Sequence, residues 1–197
     1  MLYLKTSLLS AVMLSAVFLA SNVSAQESSA APSSEDIEVA AKKTVAAFMF
    51  IAQQQLVKLT EEATRQYADT LIDPEPNMPA AWMLMDDEDT VKRINIDAQA
   101  VDAPAQLRLI MYRAAIKSVA RRGKIDAAAI LYTGKVSEDS DQEALVIEYE
   151  HRLGISANQV IPYEVRDGKV LYGEPVIADK PFQLFYDSKE EAKQSHQ

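Results

Sequence analysis

Apolar positions recur at steps of three or four through Ile37, Ala41, Val45, Phe48, Ala52, Leu56, Leu59, Ala63 and Tyr67, which describes one face of a long amphipathic helix. Ser34 followed by Glu35 and Asp36 offers an N-cap with acids in the first turn, where the helix dipole favours them. The stripe widens at Val45 to Ala52 (VAAFMFIA), apolar on every side for two turns. That stretch predicts contact on more than one side, either with a sheet and a second helix or with a partner or second copy. Pro74, Pro76 and Pro79 then end the helix by removing donors and biasing the preceding residues away from helical angles.

Ala80 to Met85 (AAWMLM) reads as a short helix that finishes by Met85, leaving the acids Asp86 to Asp89 in a loop. Val91 to Ala98 alternates as a short strand. Asp102 as cap with Pro104 in the first turn opens a second helix, which Gly123 closes. From Asp126 the period becomes two. Ala127 to Val136 and Ala144 to Leu153 read as strands joined by the polar stretch 137–143. On the second, Leu145, Ile147, Tyr149, His151 and Leu153 share one face, and Val146, Glu148, Glu150 and Arg152 the other. Asp167-Gly168 between alternating runs predicts a two-residue hairpin that pairs Arg166 with Lys169, Val165 with Val170 and Tyr163 with Tyr172. Phe182 to Tyr186 supplies a last strand.

The order gives an α+β class in two layers: a long N-terminal helix and a second helix packed on a mostly antiparallel sheet of four or five strands. In element order alone it is similar to the cone of the nuclear-transport-factor-like fold, where a bent sheet wraps helices around a pocket. The expected divisions are a signal peptide at 1–25, a polar leader at 26–34, one domain at 35–188 and a charged tail at 189–197.

The signal-peptide reading rests on Lys5, the uncharged run Leu8 to Ala20, and the small residues of Val23-Ser24-Ala25. The run covers ~20 Å as a helix, short of a hydrocarbon core of ~30 Å, so cleavage near Ala25 is expected rather than anchoring. Export to the periplasm or beyond follows, with no stable membrane association after cleavage. Loss of the signal's one lysine takes the net charge from −9 to −10, which disfavours nucleic acid and anionic membranes. The chain has no cysteine, which removes thiol catalysis and thiolate-bound zinc.

There is no nucleophile elbow, phosphate loop, dinucleotide fingerprint or HExxH, and the composition implies no cofactor or metal. The acidic runs 86–89 and 137–143 carry oxygen ligands without EF-hand spacing. Of two histidines, His196 falls in the tail, so acid–base chemistry rests on His151 with Glu148 or Glu150. Strand alternation already divides that cluster between two faces. Arg113, Lys117 and Arg121 form a basic stripe that would bind an anionic ligand or acidic partner, or pair with the protein's own acids. Phe48 and Phe50 mark the surface for a protein partner or homodimer. The reading that fits these features is an exported, non-enzymatic protein that binds an unidentified protein or small ligand. Its rival is a small hydrolase or isomerase-like enzyme.

Overall fold

A computed structural model describes residues 34–73, 77–86, 90–96, 98 and 100–187; the side chains of 34–37 lie outside that set. The signal and leader, the Ser34 cap, the acids Asp87 to Asp89 and the tail beyond Asp187 therefore lie outside the described residues.

The elements run α1 (Ser34–Ile72), β1 (Ala80–Met85), β2 (Val91–Ile94), α2 (Ala105–Ala120), β3 (Ile125–Lys135), β4 (Glu143–His151), β5 (Ile155–Arg166), β6 (Lys169–Tyr172) and β7 (Val176–Asp179). This is the expected α+β class; the described residues form two helices on an antiparallel sheet, which has seven strands rather than four or five. The order is β2-β1-β3-β4-β5-β6, and β7 pairs with β5 beside β6.

The helices cover opposite faces of the sheet, so the expected two layers become three. Trp82, Leu84, Ala127, Ala129 and Leu131 meet Leu56, Leu59, Ala63, Tyr67 and Leu71 of α1 on one side. Ala81, Ala128 and Ile130 meet Tyr112 and Ile116 of α2 on the other. Alanines in the middle of β3 leave room for a helix on each side. Each fully buried large aliphatic or aromatic side chain contributes about 1.5 to 3 kcal/mol.

Ala80 to Met85 is strand β1, not a helix. It lies between β2 and β3, is buried on both faces, and so has none of the alternation that marks a half-exposed strand. Trp82 sits edge-on to Tyr67 at 6.2 Å and donates its indole N–H to Gln66 Oε1 at 2.8 Å. Asp86 occupies the turn after β1. Helix α2 starts later than expected: Pro104 is its N-cap, no side chain caps it, and Asp102 lies before it.

The hairpin has the register read from its turn, Tyr163 opposite Tyr172 and Arg166 opposite Lys169. Asp167 and Gly168 both take positive φ, 52° and 69°. Beyond Tyr172, Gly173 still donates its N–H to the Pro162 carbonyl at 2.7 Å; pairing lapses at Glu174 and Pro175 and resumes as β7 along the first half of β5. Phe182 to Tyr186 forms no strand. It crosses the α2 face of the sheet as an irregular strap, with Leu184 fully buried.

Candidate functional site

Strand β4 carries the three predicted acid–base residues, and all three are buried: Glu148 is 2 %, Glu150 0 % and His151 1 % exposed. The pleat sends Glu148 and Glu150 to the α2 face, and His151 to the α1 face with Tyr149 and Ile147. The structure brings the two acids close to one another but not to the histidine.

On the α2 face, Arg113 grips Glu148 with two bonds, Nη2 to Oε2 at 2.7 Å and Nε to Oε1 at 3.3 Å. Lys180 reaches in behind, 2.5 Å from Glu150 Oε1 and 3.5 Å from Glu148 Oε1. Glu150 accepts three further bonds from the backbone N–H groups of Gln183, Leu184 and Phe185, at 2.7, 2.9 and 3.1 Å. The strap is irregular for this reason: its amides bond a carboxylate instead of a neighbouring strand. Two carboxylates and two cations form a closed, mutually neutralising set. The bond to Glu148 holds the Arg113 guanidinium more firmly protonated than usual, while burial and then the Glu148 charge push the Tyr132 hydroxyl up.

Lys117 and Arg121 both pair with Asp187 at the end of the strap, Arg121 at 3.0 Å. The Lys117 bond holds the Asp187 carboxyl below its ordinary range. The basic stripe of α2 is thus matched by acids of β4 and the strap. Its three predicted ligand-binding cations serve that end of the molecule as fasteners, in arrangements that sequence reading could not pair because 35 to 70 residues separate the partners.

On the α1 face, His151 Nδ1 accepts the Leu153 N–H at 3.0 Å, which leaves Nε2 as the donor to Gln55 Oε1 at 2.8 Å. Gln55 in turn donates to Asp126 Oδ2 at 3.3 Å, and Asp126 pairs with Arg152 at 3.0 Å. This chain of bonds ties α1 to the β4–β5 turn. Sequence reading missed Gln55, Asp126 and Lys180; a glutamine on the core-facing stripe of α1 is the one signal that pointed toward a buried polar partner.

The first half of α1 differs from the rest. Among the described side chains of the helix Ala52 is the first that is fully buried; before it Val45 is 61 %, Phe48 52 %, Phe50 59 % and Ile51 47 % exposed. Among the described residues nothing encloses 45–51 on every side: Met49 alone of this stretch is half-buried, and the rest stays exposed. A cavity of about 710 Å³ opens under this projection, lined by Met49, Tyr149, Ile155, Ala157 and Ile177 among others. A groove of about 970 Å³ runs along the outer side of α1 between Phe50 and Arg65, bounded by Thr90 and Val91.

No helix among the described residues is long and apolar enough to cross a membrane. Among the same residues no three His, Cys, Asp or Glu side chains gather as a metal ligand set. Compared with known proteins, the chain matches no family model, no curated relative and no solved structure.

Proposed function

We propose that this chain is an exported, non-enzymatic interaction protein that binds through the projecting first half of α1. The observation that carries the reading is the contrast along one helix. From Ala52 onward its apolar stripe is buried, whereas Val45 and Phe48 of the same stripe are left in solvent, and Ile51 at its flank and Phe50 on the outer side extend the exposed apolar surface. Exposed apolar patches of this kind mark association sites. The groups best suited to acid–base work support the same view, since Glu148, Glu150 and His151 are buried and each is already bonded.

Two measurements test it. A photo-crosslinking residue placed at Phe48 or Phe50 in the exporting cell is expected to give discrete adducts, and one placed at exposed Lys135 is not. The mature chain is expected to begin near Gln26 by mass spectrometry. Absence of discrete adducts, together with a turnover abolished by His151→Ala in folded protein, would replace this reading with the hydrolase or isomerase-like one.

A further inference from the structure

The solvent side of α1 carries a second pattern that the core does not use. Lys43, Ala47, Phe50, Gln54, Val57 and Glu61 follow one another at steps of four, three, four, three and four, the spacing of a coiled-coil seam. All six are exposed, and the last four line the groove beside α1. At 1.5 Å per residue the seam is about 27 Å long.

The seam is complementary to itself when reversed. Laid antiparallel on a second copy, it brings Lys43 opposite Glu61, Ala47 opposite Val57 and Phe50 opposite Gln54, and then repeats the same three pairs in the other direction. Phe50 and Gln54 meet at the centre, an apolar Ala47–Val57 pair lies on each side of them, and an opposite-charge pair falls at each end, so that each contact is repeated by the two-fold axis. A parallel arrangement would instead set Lys43 against Lys43 and Glu61 against Glu61. The projecting half of each helix, which lacks a sheet of its own, would then lie over the half of its partner that has one.

We infer that the occupant of this surface is a second copy of the chain, joined by antiparallel pairing of the two α1 helices about a two-fold axis near Ala52. The inference rests on the interaction reading above and specifies its partner. A contact between two single helices of this length lies at the low end of stable interface areas, and such a dimer exchanges with monomer.

Sedimentation or light scattering of the exported chain, from about 1 to 100 µM, is expected to show a concentration-dependent dimer. Lys43→Glu alone and Glu61→Lys alone each raise the dissociation constant at least about threefold at low salt, and the double reversal returns it to within about twofold of the parent. Both positions are exposed, so neither change disturbs the fold. A monomer throughout that range overturns the inference, as does a dimer indifferent to the single reversals or not restored by the double one. If adducts form at Phe50 with a different protein while the chain stays monomeric, the interaction reading stands and the self-pairing falls.

Discussion

Glu150 and Lys180 meet at 2.5 Å on the α2 face of the sheet, with the Glu150 carboxylate sealed from solvent and the lysine side chain only 7 % exposed. The carboxylate also holds three consecutive backbone amides of the strap. Removing one partner of a buried pair strands the other charge, at a cost of about 3 to 5 kcal/mol. Glu150→Ala is therefore expected to lower unfolding free energy in urea by that amount. It also frees the strap, read as faster amide exchange at Gln183, Leu184 and Phe185. Lys180→Met costs less, because the three amides still serve the carboxylate. In the double variant the two costs fall short of their sum; simple additivity would mean that the residues are not coupled.

Arg113 binds Glu148 through two nitrogens of its planar fork, a geometry lysine does not reproduce. Arg113→Lys is expected to cost about 1 kcal/mol and Arg113→Ala about 2 to 3, measured by denaturant midpoint. Equal effects would show that charge alone matters at this site.

His151 bonds through both ring nitrogens, so its replacement is a structural event. His151→Ala is expected to destabilise by about 2 to 4 kcal/mol, through lost packing and the orphaned Gln55 and Leu153 groups. Gln55→Leu is expected to cost about 1 to 3. A His151→Ala variant as stable as the parent would contradict the buried bonding described.

Alkali should unfold this protein through two tyrosines. Burial raises the Tyr67 hydroxyl, and burial followed by the bond to Glu143 raises that of Tyr163, which lies 2.6 Å from Glu143 Oε2. Groups raised in the folded state stabilise fully below the unfolded value near 10, and that contribution is lost as pH climbs toward the folded value. The urea midpoint should hold to about pH 9.5 and fall above about 10. Tyr163→Phe should flatten the fall, and a parent midpoint level to about pH 11.5 would refute the assignment.

At the hairpin tip, Gly168 takes φ of 69°, a region that suits glycine. Gly168→Ala is expected to cost about 1 kcal/mol, and Asp167→Asn about nothing, since asparagine accepts the same turn. Thermal unfolding of the two variants side by side separates them.

Local rules were legible where local physics decides. Asp167-Gly168 set the register of β5 on β6, and alternation along β4 assigned Glu148 and His151 to opposite faces before any contact was known. Strand β1 was illegible because a strand buried on both sides has no period, and AAWMLM suits a helix equally well. The Phe182 to Tyr186 segment misled for the opposite reason: its composition favours a strand, but a distant carboxylate holds its amides. The site residues were legible as types and faces, whereas their partners Lys180, Gln55 and Asp126 came together only through the fold. The exposure of Val45 and Phe48, which share the stripe of Ala52 and Leu56, depends on where the core cover stops, which no helical period records, whereas Phe50 lies on the side of α1 that faces solvent along its length.

The break in pairing at Glu174 and Pro175 has a consequence for the open margin of the sheet. Without it, β6 and β7 would form one long strand with a bare outer row of amides and carbonyls, bearing Leu171, Val176 and Ile177 in solvent. The break cuts that margin into two four-residue lengths, and Pro175 contributes no donor between them. A Cβ at Gly173 would come 3.3 Å from the Pro162 side chain, so glycine lets the chain lie close against β5 before it turns out. Two short, offset ledges make a poor template for an incoming chain.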